Sequence, residues 1–176
     1  KISTQKYILI GLSLILLSGV VLYLMGQIPI CKCGYVKLWH GVTFSSENSQ
    51  HLSDWYTPSH IIHGFAFYYL GKLIKKLTLF QSFLLALFIE SVWEIVENSY
   101  YVIDRYRETT ISLDYYGDSI INSIFDILEM VLGFYLARKL PLWTIILLTM
   151  VMEIGAGYVI RDNLTLNIIM LIYPSE

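Results

Sequence analysis

Acidic side chains inside otherwise apolar segments are the feature that most restricts how this chain can fold. An ionised carboxylate at membrane depth costs several kcal/mol unless it faces a partner, a metal or a water-filled cavity. Five acidic residues lie in segments apolar enough to cross a membrane: Glu90, Glu94, Asp126, Glu129 and Glu153. Together with histidines near the start of a neighbouring segment, they predict a polar site built into a membrane protein.

The composition supports a membrane protein. Of the 176 residues, 56% are hydrophobic and 15% are charged, and the mean hydropathy is +0.59. A soluble domain of this length needs a larger polar surface than these charges provide. The net charge of −2 predicts no nucleic-acid partner. We therefore predict one transmembrane domain over residues 1–176, an all-α polytopic integral membrane helix bundle.

About five transmembrane helices are predicted, with a short C-terminal interfacial or re-entrant helix over Leu164–Tyr173. The first apolar run, Tyr7–Met25, is long enough to cross a hydrocarbon core of roughly 30 Å. A cleaved signal peptide is the alternative, but no small-residue cleavage site follows the run. Thr57 and Pro58 form a typical helix start. The predicted spans are about 7–25, 57–73, 79–101, 118–137 and 141–160.

The basic residues predict the orientation, because short cytoplasmic loops carry an excess of Lys and Arg. Seven basic residues fall on one side of the five spans: Lys1, Lys6, Lys72, Lys75, Lys76, Arg138 and Lys139. Five fall on the other side: Lys32, Lys37, Arg105, Arg107 and Arg161. We therefore expect a cytoplasmic N-terminus, a periplasmic C-terminus and an extracytoplasmic loop over residues 26–56.

This orientation brings the polar residues of four spans to one depth. At about 1.5 Å of rise per residue, four side chains are predicted roughly 7–12 Å below the outer boundary: His63, Glu94, Asp126 and Glu153. Helical spacing also aligns acids on single faces, at Glu90, Glu94 and Glu97 and again from Asp118 to Asp126.

Like charges on one helix face repel, so the cluster needs a counter-ion, shared protons or a bound cation. We expect His60, His63, Glu94 and Asp126 to hold a divalent metal. The alternative is that these groups only hydrogen-bond between helices and fix their register. Glu97 and Asp118 are expected near water, as caps or solvated groups.

A metal-assisted enzyme acting on a lipid or lipid-linked substrate is the leading functional prediction. Glu90 or Glu153 would serve as general base. Arg105 or Arg161 would bind a phosphate headgroup, and Asn122 is a further candidate for substrate binding. No recognised catalytic motif supports this prediction.

Two other classes remain open. Carboxylates inside the membrane also suit an ion- or proton-coupled transporter, although the inner halves of the spans carry no polar path. A non-catalytic scaffold or assembly factor of a membrane complex is the third possibility. Membrane lipids are the expected partners of all three, and a membrane-protein partner is expected for the scaffold.

The loop between the first two spans contains a second candidate site. Cys31 and Cys33 are followed by His40 and His51, which together supply soft and borderline metal ligands. The spacing is compatible with a second metal site, with a redox pair, or with cysteines that have no ligand role.

Several long motifs carry a resemblance to a known family. They include CKCG, DWYTPSHIIHG, WEIVENS, GDSIINS and VIRDNLTLNIIM. From about Pro29 onward the chain resembles a family of small bacterial inner-membrane proteins of unknown function. The resemblance implies a multi-pass protein of the bacterial inner (plasma) membrane and implies no activity.

Overall fold

The computed structural model describes residues 3–109 and 115–173. Within them the only extended pairing is a single bridge between His40 and Asp54, so the all-α prediction is confirmed. The described residues form seven helices: α1 (Thr4–Leu24), α2 (Thr57–Leu73), α3 (Leu79–Glu97), α4 (Tyr100–Thr109), α5 (Ile120–Lys139), α6 (Leu142–Ile160) and α7 (Leu164–Ile172).

Four of the described helices are long and apolar enough to cross a membrane: α1, α3, α5 and α6. This pattern is typical of a helical membrane protein. The remaining predicted span, the second along the chain, corresponds to α2, which at 17 residues is shorter than these four and carries His60 and His63. The short apolar tail forms the nine-residue helix α7.

Helices α2 and α5 lie in backbone contact at the centre of the bundle. A Cβ atom added to Gly64 of α2 would collide with the backbone of Met130 and Phe134. A Cβ atom added to Gly133 of α5 would collide with the backbone of Ile61. Small residues allow helices in membrane proteins to approach this closely. The contact holds the polar residues of α2 directly against those of α5.

The third helix ends earlier than the sequence predicts. A helix over 79–101 was expected, but α3 ends at Glu97 and α4 begins at Tyr100. The side chain of Asn98 bonds to Asp118 across the turn, and the Ser99 hydroxyl bonds back to the Val96 carbonyl. Such side-chain bonds compete with helix continuation. These bonds end α3 beside the candidate site.

The connecting loop, residues 25–56, covers the N-terminal end of α5. The backbone N–H of Ile120 donates to the carbonyl of Ile28 at 2.8 Å, and that of Ser119 donates to the carbonyl of Ser49 at 3.0 Å. The first N–H groups of a helix have no partner within the helix. The loop supplies these partners and is thereby held over the end of α5.

Candidate functional site

Glu90 of α3 contacts both histidines of α2. Its Oε1 lies 2.8 Å from Nδ1 of His60 and 3.1 Å from Nδ1 of His63. The carboxylate is fully buried, whereas His63 is partly exposed. A carboxylate bonded to Nδ1 fixes the tautomer and orientation of an imidazole. Glu90 therefore orients His60 with its Nε2 directed away from Glu90.

His60 stands between acids from two other positions. Its Nδ1 lies 3.5 Å from Oε1 of Glu94, one turn further along α3. Its Nε2 lies 3.8 Å from Oδ1 of Asp126 on α5. We call His60, His63, Glu90, Glu94, Asp118 and Asp126 the acid–histidine cluster. Three of the four predicted metal ligands, namely His60, Glu94 and Asp126, approach one another in it.

Glu94 has an unusual environment. Glu94 is 0% exposed, and no hydrogen-bond donor among the described residues bonds to either of its carboxylate oxygens. One oxygen of Glu94 lies within 4.8 Å of carboxylate oxygens of Asp118 and Asp126. A buried carboxylate without a donor is costly. This arrangement can bind a cation, which would satisfy all three carboxylates at once.

Asp118 is buried and not solvated, so the expectation for this residue was wrong. Its carboxylate accepts hydrogen bonds from the Tyr115 hydroxyl at 2.9 Å and from the Asn98 amide at 2.8 Å. The Asn98 carbonyl oxygen in turn accepts the Asp118 backbone N–H at 2.6 Å. Burial raises the pKa of Asp118 to about 6. The turn before α5 thus aims this acid inward.

A pocket lies against one side of the cluster and contains about 400 Å³ of space not filled by protein atoms, part of which is open solvent. It brings together residues of the connecting loop and of five helices, α2, α3, α4, α5 and α7. Its polar lining includes Asp54, His60, Glu97, Asp118, Asn122, Asp126 and Asn167. Tyr56, Tyr106 and Tyr115 form its aromatic walls. Burial raises the pKa of both Tyr106 and Tyr115 well above the ordinary value.

Two further polar residues of α5 hold the connecting loop. The Asn122 amide donates to the His51 carbonyl at 2.9 Å. Oε1 of Glu129 accepts the hydroxyls of Ser53 at 2.7 Å and Thr57 at 3.0 Å. Asn122, which was predicted to bind substrate, therefore lies in the pocket wall with its side-chain amide already bonded to the connecting loop.

Three predicted site residues lie away from the cluster. Glu153 accepts the backbone N–H groups of Leu164 and Thr165 at 3.1 Å each, so it caps α7 and does not face the histidines. Arg161 is exposed and ends α6 with a left-handed backbone, φ 60°. Arg105 donates to the Leu171 carbonyl, joining α4 to α7. Equal depth along separate helices did not imply contact, because the helices face different neighbours.

The loop residues predicted as a second site are close together. Cys31 and Cys33 form a disulfide, so they are not free thiolate ligands. One ligand atom from each of Cys31, Cys33, Glu47 and His51 lies within 4.8 Å of the others. His40 is bonded elsewhere, with Nε2 3.0 Å from the Val42 carbonyl, and burial lowers its pKa.

Sequence reasoning missed residues that reach the pocket from outside the spans. Asp54 is buried and accepts the backbone N–H groups of Ser49 and Tyr56. Its pKa is raised by burial. Asp54 does not belong to a helical repeat that could have revealed it, whereas Asn98 continues the four-residue spacing of Glu90 and Glu94. Asp118 did belong to one, since it precedes Asn122 and Asp126 at spacings of four.

The seven described helices, four of them apolar and long, surround a buried acid–histidine cluster. This arrangement defines a membrane-type helical bundle with an internal polar site. The chain belongs to the family described as protein of unknown function (DUF2585), whose model matches residues 22–176. The predicted membership of an uncharacterised family is confirmed.

Relatives are similar over nearly the whole chain. A UPF0314 protein of Rhizobium etli is 61% identical over 155 residues, 88% of this chain and 80% of its own length. A UPF0314 protein of Paracoccus denitrificans is 53% identical, covering 92% of this chain and 84% of its own length. One of Brucella anthropi is 50% identical, covering 100% and 91%. No solved structure matches the chain.

Proposed function

We propose that this protein is a five-span protein of the bacterial inner membrane that binds a divalent cation at the wall of its polar pocket. The cation-loaded pocket is the active site of an enzyme acting on a lipid or lipid-linked substrate. The observation that carries the proposal is Glu94, a fully buried carboxylate whose two oxygens lack hydrogen-bond donors among the described residues and which faces Asp118 and Asp126.

The ligand set we propose is Glu94, Asp118 and Asp126, with Nε2 of His60 as the fourth group. The Glu90 bond at Nδ1 supports this role of His60, because it leaves Nε2 on the side of Asp126. His63 stays on Glu90 and is not in the set. Three carboxylates and one imidazole suit Mn²⁺ better than Ca²⁺, which prefers an all-oxygen site.

The charges around the cluster support a cation. In the part of the chain that the structure describes, the ion pairs of Lys and Arg lie away from the cluster. Lys37–Glu47 is in the connecting loop, and Arg107–Asp104 is on α4. Among the described residues, the ion-pair contacts of the cluster acids are made by imidazoles, at His60 and His63. A divalent cation would balance the remaining negative charge and polarise a bound substrate oxygen.

The apolar packing beneath the cluster favours an enzyme over a transporter. Ala86 and Leu87 of α3 pack with Ile127, Met130 and Phe134 of α5 in a buried apolar core. Along α3 and α5, this core lies between the acids and the opposite end of the bundle. A translocation path needs polar groups through both halves of the membrane, whereas a pocket that opens at one end needs them only there.

The orientation and span count belong to the same proposal. Helix α2 is the remaining span, because its 17 residues, about 26 Å long, fall at the short end of the range for transmembrane helices. The disulfide in the connecting loop supports a periplasmic loop, because disulfides persist in oxidising compartments. The basic residues near the cytoplasmic ends agree with this direction.

Metal binding provides the test. Protein purified with a chelator and then titrated with Mn²⁺ should bind one ion per chain, measured by loss of the free Mn²⁺ electron paramagnetic resonance signal. At a free ion concentration of about 100 times the Kd, the ion should stabilise the fold by about 2.7 kcal/mol. Asp126→Asn should weaken binding at least about tenfold, and Glu153→Gln, outside the cluster, should not.

Turnover is tested separately. The reconstituted protein is incubated with total bacterial lipid extract and Mn²⁺, and the lipids are followed by mass spectrometry. The proposal expects one lipid class to change with wild-type protein and not with Asp126→Asn. Stoichiometric Mn²⁺ without any lipid change would leave a cation site and refute the enzyme. The absence of binding for Mn²⁺, Mg²⁺ and Zn²⁺ would refute both.

A further inference from the structure

We propose that Cys31–Cys33 is a redox-active disulfide that exchanges with the dithiol of a thiol-oxidoreductase partner protein, and that the partner attacks the sulfur of Cys33. This inference is independent of the cation site. It rests on four features of the connecting loop: unequal burial of the two sulfurs, a hydrogen bond to one of them, the small ring that the disulfide closes, and open space beside it.

The two cysteines differ in accessibility. Cys31 is buried, at 4% exposure, whereas Cys33 is half-buried and lies between the exposed residues Lys32 and Gly34. Thiol–disulfide exchange requires an attacking thiolate to reach one sulfur of the bond. Cys33 is the sulfur that a partner can approach, and Cys31 is therefore the leaving sulfur.

The loop backbone stabilises the leaving sulfur. The backbone N–H of Cys33 donates to Sγ of Cys31 at 3.1 Å. A hydrogen bond to a thiolate favours its charged form, and a better-stabilised leaving thiolate leaves faster. The nearby Glu47 carboxylate opposes a thiolate, but it is paired with Lys37 at 2.7 Å and with His51 at 3.0 Å.

The disulfide contributes little to holding the fold together. It joins cysteines separated by two positions, and the stabilisation that a cross-link gives by restricting the unfolded chain grows with loop length. The connecting loop is held by other contacts, such as the backbone bonds of Ile28 and Ser49 to the start of α5. A bond that is not needed for stability is free to open and close.

A groove beside the disulfide leaves room for a partner. It encloses about 1080 Å³ of space that includes open solvent, and both cysteines line it. Its other walls include Gln27, Asn48 and Tyr116. An extended peptide segment carrying the attacking cysteine fits this kind of open, partly polar groove.

The exchange is balanced as follows. A partner thiolate attacks Sγ of Cys33, the Cys31–Cys33 bond breaks, and Cys31 leaves as a thiolate that takes up a proton. The second thiol of the partner, as its thiolate, then attacks the mixed disulfide and releases Cys33 as a thiolate, which is also protonated. The partner is oxidised to a disulfide by two electrons, and this chain is reduced to two thiols.

The test uses the full-length protein in lipid nanodiscs with glutathione as the probe. Wild-type protein is equilibrated in buffers of reduced and oxidised glutathione, and free thiols are trapped with a maleimide of known mass. We expect complete and reversible conversion between the oxidised and reduced forms, with circular dichroism and thermal unfolding midpoint unchanged. A bond that opens only on unfolding, or whose reduction lowers the midpoint by several degrees, is structural and overturns the proposal.

Single-cysteine variants identify the attacked sulfur. With oxidised glutathione, Cys31→Ser should form the mixed disulfide at least about tenfold faster than Cys33→Ser, because access limits attack. Equal rates, or faster reaction at Cys31, would overturn the assignment to Cys33. If either variant fails to fold, the wild-type protein decides: the first mixed disulfide with glutathione is trapped by acid and located by peptide mass spectrometry.

Discussion

Two glutamates, the partly buried Glu47 and the fully buried Glu94, have opposite hydrogen-bonding environments. In the connecting loop, Glu47 accepts hydrogen bonds from Tyr35, Lys37 and His51, all at 3.0 Å or less. The Lys37 bond is the largest of the effects that lower the pKa of Glu47 to about 2. In the bundle, Glu94 is completely buried, and no described donor bonds to it.

The difference separates structure from function. A carboxylate surrounded by donors is a stabilising cross-link, and its partners are all supplied by the loop itself. A buried carboxylate that the fold leaves without donors lowers stability, and it is retained where a ligand completes it. Glu47 therefore fixes the shape of the loop, whereas Glu94 is the carboxylate that we propose a cation completes. Each prediction that follows tests one side of this contrast.

The largest effect is expected at His60, the imidazole in contact with three acids. In chelator, His60→Ala should lower the free energy of unfolding by about 3–5 kcal/mol, because it leaves buried carboxylates unbalanced. Denaturant unfolding in detergent measures the loss. His63→Ala is the matched control, since His63 contacts Glu90 alone among the cluster acids and is partly exposed. An equal loss in both variants would contradict a central role for His60.

The opposite sign is expected for Glu94. In chelator, Glu94→Gln should raise the free energy of unfolding by about 1–3 kcal/mol, because it removes a buried carboxylate to which no described donor bonds. The same change should abolish the stabilisation by Mn²⁺. The corresponding change Glu47→Gln in the connecting loop should destabilise the protein. If Glu94→Gln also destabilises, Glu94 has donors in solution and the contrast fails.

Helical periodicity made much of this arrangement predictable. The sequence alone predicts that the acids share single helix faces. Glu90 and Glu94 are four residues apart, and so are Asp118, Asn122 and Asp126 in turn. Helix α2 begins at Thr57 with Pro58 in its first turn, as the sequence indicates, although the N-cap is Tyr56 and not Thr57. Such patterns are local, so the sequence contains them in full.

Contacts between distant segments were not predictable in the same way. Nothing near Glu153 in sequence shows that it caps α7, since its partners lie eleven and twelve residues later. The end of α3 depends on Asn98 meeting Asp118, twenty residues away. Spacing alone likewise left the state of Cys31 and Cys33 open. Each of these outcomes is decided by tertiary neighbours, which override local preference.

A smaller effect is expected at Glu153, which tests the boundary of the cluster. Glu153→Ala removes the acceptor for the first N–H groups of α7 and should lower the free energy of unfolding by about 1 kcal/mol, as loss of a helix cap does. Hydrogen exchange should increase in α7 and remain unchanged in α2. Weaker Mn²⁺ binding by this variant would show that Glu153 belongs to the site after all.

The smallest effect is a pH dependence in the connecting loop, because Glu47 is partly exposed and solvent weakens its ion pair. Its pKa lies at about 2 in the folded protein and at 4.5 ordinarily. The lowered pKa means that ionised Glu47 stabilises the fold above its ordinary pKa, and that this contribution disappears as the pH falls through about 2. The gap in unfolding midpoint between wild type and Glu47→Gln should therefore be full at neutral pH and close between about pH 4.5 and 2. Glu108→Gln, at an exposed glutamate of α4, is the control and should leave the unfolding midpoint unchanged. A gap for Glu47→Gln that stays constant with pH would mean that the hydrogen bonds of the loop, and not its charges, hold Glu47 in place.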